Sequence, residues 1–464
     1  MRKNNQSNYI EHLPLFLGLL VLVGLSLYRI FLHDIWIDEA STLVTTTIPL
    51  SEVIQRTLIW EEQAPLFYFV MALWMNIWPS YHFARIFTLV LVIASVVIFY
   101  RFIKRYESSK LILTLFLILF ISNHYTLFAA VTIRYYSMVL LLSLGMFSIF
   151  IRNYLNNAPP PIKARILFIF LATLSVLTQY YLSFLLLAFG MVILVQFGYK
   201  QFLKYVVDMI APVLVLVPLF VFIWGQYGTY SELVMAKPSF FGLLEFLIVK
   251  TENSIVSFEF FVHNNVARYA VRFFYIFILI AVFVSRKKIK QEGKSLALVF
   301  VATLIPLSAL YFLINPNFIN VWHTLFFLIN ILLLAFFGIR ELKKGLSIAI
   351  LSVLISLNLI STFFYFAIPT EVAQINTLLK SEEKVGQDIL LYPNMYKDIF
   401  RFEYTGINNL KGLSFDIDHN KGFRMQDWVI KSDHQLDSFF YANRRLNSSG
   451  FYLVEEKYTN LLNV

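Results

Sequence analysis

The chain has 464 residues, 59% hydrophobic and only 14% charged, with 48 Phe, 26 Tyr and a net charge of +10. Soluble globular chains carry about a quarter charged residues, so lipid is the solvent around most of this one, and the aromatic load is not a nucleic-acid signature. Cysteine is absent, which excludes a disulfide framework, a thiolate nucleophile and a cysteine-based metal site.

The basic excess is local: residues 1–366 hold 27 Lys and Arg against 15 Asp and Glu, whereas residues 367–464 hold 11 against 13. A bilayer core about 30 Å thick needs about 20 apolar residues per spanning helix. The first such run, Leu13 to Leu32, is too long for a signal-peptide core and has no small-residue cleavage site, so it predicts a retained span. Arg2 and Lys3 hold its start in the cytoplasm. An outer loop from His33 to His82 follows. Within it, Pro65 to Trp78 is apolar, yet counting it as a span would turn the basic cluster Arg101 to Lys110 outward. It therefore reads as a helix lying in the outer interface, with Trp74 and Trp78 at headgroup depth.

Further spans are predicted at 83–100, 111–122, 137–151, 166–178, 182–197, 206–223, 269–285, 295–313, 323–339 and 346–366. The basic clusters at 101–110, 152–165, 200–204, 286–294 and 340–344 fall on one set of alternate loops. The other set carries only Arg56, Arg134, Lys237, Lys250 and Arg268, so it is extracytoplasmic by the positive-inside rule. About eleven spans, by this threading, leave the C-terminus outside. A second long outer loop, 224–268, contains Phe240 to Lys250, which reads as another interfacial helix. The tail from Ala367 predicts strands at Asp388 to Tyr392 and Gly450 to Val454, with helical segments at Glu371 to Lys384 and Asp433 to Leu446. The fold class is thus an α-helical polytopic membrane domain, residues 1–366, carrying a small extracytoplasmic α/β domain, residues 367–464. With no internal repeat and no Gly-rich phosphate loop, the sequence offers nothing that points to a nucleotide-powered pump.

Chemistry concentrates in the first outer loop, which opens His33-Asp34-Ile35-Trp36-Ile37-Asp38-Glu39-Ala40-Ser41. Adjacent Asp38 and Glu39 cannot share a helix face, but at a turn one could act on a proton while the other orients it; equally, they could be solvated acids beside a helix cap. Asp34 lies one helical turn before Asp38, where a divalent metal could bridge the two. His33 and His82 add nitrogen donors in the same loop, with no recognised zinc spacing. Arg134 and Arg85 stand at outer ends of spans, either facing a polar cavity or snorkelling to headgroups. His323 is a further basic candidate, or a satisfied helix-end histidine. Trp36, Trp60, Trp74 and Trp78 read mainly as interface anchors.

Taken in order, these motifs resemble a known family. Trp36-Ile37-Asp38-Glu39-Ala40, then Gln63-Ala64-Pro65-Leu66-Phe67-Tyr68 before an aromatic interfacial run, then Phe83-Ala84-Arg85-Ile86 opening a span, are similar to the GT-C membrane glycosyltransferases, in particular the protein mannosyltransferase and lipid A aminoarabinose transferase group. Ile133-Arg134-Tyr135 is similar to that group's Arg-Pro-Tyr element and Thr178-Gln179-Tyr180 to its Thr-His-Tyr turn. Asp388-Ile389-Leu390-Leu391 and Gly450-Phe451-Tyr452-Leu453-Val454 are similar to strands of its extracytoplasmic domain. Three positions depart from the pattern: Gln63-Ala64-Pro65 stands for His-Pro-Pro, Gln179 for His, and Trp322-His323 for Arg-Tyr.

The resemblance implies an inverting glycosyltransferase at the outer face of a bacterial plasma membrane, taking a sugar from a polyprenyl-phosphate carrier to a hydroxyl of a glycolipid, wall polymer or protein. It implies Asp38 as general base supported by Glu39, and Arg134, Arg85 or His323 as phosphate ligands. Pro65, Tyr68, Tyr135, Gln179 and Tyr180 fall on its substrate-binding elements. The one cofactor considered is a divalent metal, at Asp34. The rival expectation is a transporter or lipid-linked-sugar flippase, but such proteins place ionisable groups at mid-membrane and often show repeated halves.

Overall fold

The computed structural model describes residues 3–32, 35–155, 159–227, 239–243, 247, 291–313, 324–367, 380–381, 388–392, 410–412 and 451–455. The predicted span at 269–285, most of the predicted helix from Phe240 to Lys250 and nearly all of both predicted tail helices lie outside the described residues. Two units result: Met1–Ile30, Ala64–Phe67 and Arg85–Ala367 form the first, and Phe31–Gln63, Tyr68–Ala84 and Ile368–Val464 the second.

Fifteen helices can be numbered among the described residues: α1 Lys3–Leu32, α2 Ile37–Thr46, α3 Leu50–Arg56, α4 Leu66–Met75, α5 Tyr81–Ile103, α6 Lys110–Ser122, α7 His124–Val131, α8 Tyr136–Ile149, α9 Ile162–Thr178, α10 Leu182–Phe197, α11 Tyr199–Asp208, α12 Ile210–Tyr227, α13 Gln291–Leu313, α14 Leu325–Ile339 and α15 Lys344–Ala367. Five of them are long and apolar enough to cross a bilayer, and two bent pairs, α6 with α7 and α11 with α12, add two more crossings if each pair is one span. The protein is therefore a multi-pass membrane protein. Each predicted span within the described residues falls on helix, although the one at 206–223 is shared by α11 and α12, and α9, α10 and α14, at 17, 16 and 15 residues, are shorter than the five.

Two helices depart from the sequence reading. Residues 123–136, expected as a loop, contain α7, set at 59° to α6. Asn123 makes that break: its side chain accepts a hydrogen bond from Tyr125 N (3.0 Å) as the cap of α7 and donates one to Asn358 Oδ1 (3.4 Å) on α15. The expected span 206–223 is divided at Met209, where α11 meets α12 at 60°. Gly198 separates α11 from α10 with φ +77°, a conformation open to glycine at little cost.

Within the first unit, α10 packs on α13, α15 on α6, α8 on α9 and α14, and α12 on α9. Phenylalanine fills further seams, with Phe99 of α5 on Phe120 of α6, Phe150 on Phe189 of α10 and Phe116 of α6 on Phe336 of α14 at 4.0–5.0 Å between ring centroids. The outward surfaces are apolar too: Leu214, Val217 and Phe220 on α12 are more than half exposed, as lipid-facing side chains should be.

In the second unit, α2 and α3 lead into a π-helical turn at Thr57–Glu61. The tail contributes a three-stranded parallel sheet, β1 Asp388–Tyr392, β2 Leu410–Gly412 and β3 Phe451–Glu455, in the order β2-β1-β3. Ile389 pairs with both Leu410 and Tyr452. Parallel strands require long crossovers, so a sheet of this kind agrees with the expected α/β domain. The sequence reading missed β2, three residues of mixed character.

Candidate functional site

The Asp38-Glu39 pair sits in the first turn of α2. Trp36 caps that helix in an extended conformation, and its backbone N–H donates to Glu39 Oε2 at 3.1 Å. This is the carboxylate half of a capping box; Trp36 offers no side-chain oxygen for the other half. Glu39, 3% exposed, is thus folded back onto the helix start. Asp38 is half-buried at the positive end of the helix dipole, a favourable place for a carboxylate.

The face of α2 that carries Asp38 continues through Ser41 and Thr45, at the i+3 and i+7 positions of one helical stripe. Both hydroxyls donate to Glu61 Oε1, at 2.7 and 2.8 Å, and the Tyr68 hydroxyl donates to Glu61 Oε2 at 3.2 Å. Arg56 Nε donates to Thr45 Oγ1 at 3.1 Å, and its guanidinium lies over the Trp60 ring. The sequence reading missed Glu61. Its carboxylate fixes the rotation of α2 against the π turn, and no spacing rule relates residues 38 and 61. After it Glu62 takes the left-handed conformation, φ 53°, an arrangement that costs a non-glycine residue about 1–2 kcal/mol. Gln63, Ala64 and Pro65 then open α4.

A helix of ten residues, α4 is about 15 Å long and too short to cross a core of about 30 Å. Its geometry suits the interfacial placement expected from charge parity. Of the four tryptophans read as anchors, Trp36 and Trp78 are exposed, whereas Trp60 is buried and Trp74 donates from Nε1 to Phe83 O at 2.8 Å while stacking on that ring.

The basic candidates belong to the first unit. Arg134 lies in the turn between α7 and α8, its backbone N–H bonded to Thr132 O at 2.8 Å. Its guanidinium is only 8% exposed and 5.8 Å from the Tyr135 ring centroid. Arginine stays charged at any accessible pH, so burial there is costly and suits a polar or anionic environment. Arg85 is 2% exposed and donates from Nη1 to Ile30 O at 3.3 Å. It covers a carbonyl at the C-terminal end of α1, where a cation stabilises the helix. Asp34 and His323 lie outside the described residues, and among those described no three metal-ligating side chains cluster.

Gln179 is 1% exposed, at the extended break between α9 and α10, and neither atom of its side-chain amide has a hydrogen-bond partner among the described residues. Thr126 on α7 and Ser137 on α8 carry buried hydroxyls in the same condition. Buried polar atoms are almost always satisfied, so each of these groups has hydrogen-bonding capacity that the described residues leave unused. Tyr135 is buried against Tyr136 and Tyr180 is half-buried. Within α7, which the sequence reading took for loop, His124 is wholly buried against Tyr125 and Phe128.

No family model matches the chain, and no curated protein matches it in sequence. Among solved structures it is similar to ArnT from Cupriavidus metallidurans in the apo state, with a TM-score of 0.58 and 11% identity over 96% of this chain and 93% of that one. At that identity the likeness is one of fold: the chain shares the fold of that structure over nearly its whole length.

Proposed function

We propose that this protein is an inverting glycosyltransferase that moves a sugar from a polyprenyl-phosphate carrier to a hydroxyl acceptor at the extracytoplasmic face of a plasma membrane. The observation that carries the reading is the start of α2: on a chain that shares the fold of ArnT, the helix that carries Asp38 is capped by Glu39 and latched along its side by Glu61.

In the proposed reaction Asp38 removes the acceptor's hydroxyl proton as the oxygen attacks the anomeric carbon. The bond from that carbon to the phosphate oxygen breaks, its electron pair leaves with the carrier phosphate, and the anomeric configuration inverts. Glu39 is a positioning residue acting through its bond to Trp36 N, and Glu61 another acting through Ser41 and Thr45. Arg134 balances charge on the departing phosphate, the role of a fixed cation in group transfer. The amide of Gln179, with Tyr180 and Tyr135, supplies neutral hydrogen-bonding groups for the donor, and Pro65 with Tyr68 shapes the entry to α4. Arg85 is the weaker phosphate candidate because its role at the end of α1 already accounts for it.

The test is Asp38→Asn in reconstituted membranes supplied with labelled polyprenyl-phosphate sugars. A general base contributes about 10²–10⁴-fold, so transfer should fall by at least about a hundredfold while donor binding persists. Undiminished transfer in a variant of normal thermal stability would refute the proposal, and a transporter should tolerate the change.

A further inference from the structure

The first unit holds a second polar site that the proposed reaction does not use. A small, partly open cleft is lined by Tyr154, Arg165, Gln201, Lys204, Tyr205 and Asp208, among others. Asp208 is 2% exposed and accepts from Tyr154 Oη at 2.8 Å and from Arg165 through both Nε and Nη2. Its charge is thereby committed to Arg165. The guanidinium keeps a third of its surface open, and its Nη1 has no hydrogen bond among the described residues. Lys204 brings a second positive charge, exposed at the rim, so the lining is net positive by one: Arg165 and Lys204 against Asp208.

The helix that carries half of this lining has an unusual surface. Gln201, Lys204 and Asp208 follow one another at i, i+3 and i+7, one stripe of α11. Phe202 and Tyr205 pack inward, with the Tyr205 ring filling the space that Gly190 leaves on α10; a Cβ at Gly190 would lie 3.1 Å from that ring. The remaining side, Tyr199, Leu203, Val206 and Val207, is apolar and 42–65% exposed. A short helix with one cationic stripe and one uncovered apolar face, bent 60° from the lipid-facing α12, has the form of a segment lying in the membrane interface.

We infer that this cavity binds the phosphate headgroup of an anionic membrane lipid, held by Arg165 Nη1 and Lys204 Nζ, with the acyl chains along the apolar faces of α11 and α12. The continuity of cation-lined cavity and exposed apolar surface selects a lipid over free phosphate, which would need only the former. The site is independent of the transfer reaction proposed above, because it uses none of the same residues.

Native mass spectrometry of the full chain, released from micelles containing phosphatidylglycerol, phosphatidylcholine or both, tests it. The wild type should retain phosphatidylglycerol in preference to phosphatidylcholine. Lys204→Gln should reduce that retention roughly fivefold, the worth of one basic residue at an anionic surface. The pair Arg165→Gln with Asp208→Asn, which removes both charges while keeping hydrogen-bonding side chains, should abolish the preference. Lys163→Gln, an exposed neighbour outside the cavity, should leave it unchanged. Equal effects at Lys163 and Lys204 would mean diffuse surface attraction and overturn the proposal. So would displacement of the lipid by millimolar inorganic phosphate, or no preference for phosphatidylglycerol in the wild type. Should the double variant fail to fold, the comparison of Lys204 with Lys163 decides alone.

Discussion

At the scale of single residues, the buried amide of Gln179 is the position where stability and proposed function make opposite demands. Each unpaired polar atom in an interior costs about 1–3 kcal/mol, and Gln179 has two, so replacement by a leucine of similar size should stabilise the fold. If the amide faces the donor, the same replacement removes hydrogen bonds that the substrate would otherwise complete. Gln179→Leu is therefore expected to raise the thermal midpoint in detergent while lowering transfer by about tenfold or more, the scale of one or two lost hydrogen bonds. Parallel unfolding and initial-rate measurements check both signs at once; a stabilised variant with full activity would make Gln179 a structural residue only. That Gln179 stands where the resembled family has histidine was visible in the sequence. Its burial without partners was not, because hydrogen-bond satisfaction depends on neighbours from other helices.

Among elements, α2 shows how local sequence and distant contacts divide the work. Its start was legible only as an alternative: the acids read either as a turn or as a helix cap, and the structure has the cap, with Glu39 folded back onto Trp36 N. Its rotation was not legible, since that is set by Glu61 across a π turn. In the same way the expected spans were readable as long apolar runs, whereas α7 was not. Its eight residues are interleaved with His124, Tyr125 and Thr126, and only a partner such as Asn358 on α15 makes a break at Asn123 tolerable. The latch yields a prediction at this scale. Glu61→Ala frees the Ser41 and Thr45 hydroxyls and lets α2 turn, and a displacement of about 1 Å at a reacting group can cost a hundredfold. Turnover should fall by about that factor with little change in the apparent donor affinity, and Glu61→Gln, which keeps an acceptor oxygen, should restore most of it. Loss of donor affinity without loss of turnover would show that Glu61 does not act by positioning α2.

For the whole molecule, the physical question is which side of the bilayer each loop faces, and the charge pattern answers it only if α4 does not span. Residues 101–110, 152–165 and 200–204 carry clustered Lys and Arg and belong in the cytoplasm, and a ten-residue helix reaches only about half the hydrocarbon thickness. In the proposed orientation α2, with Asp38, lies outside. A chain without cysteine allows a direct check, because any cysteine introduced is the sole target of a thiol reagent. Ser51→Cys, exposed at the start of α3, should react with a membrane-impermeant maleimide in intact cells, and Lys163→Cys, exposed at the start of α9, only after permeabilisation. Reaction of both from outside would break the charge-parity threading. Reaction of Lys163→Cys alone would invert the protein, putting Asp38 on the cytoplasmic surface and removing the ground for an outer-face transferase. Because the two probes sit on exposed helix starts and neither touches the proposed reaction, transfer activity should survive in both variants, so orientation and catalysis can be scored in the same membranes.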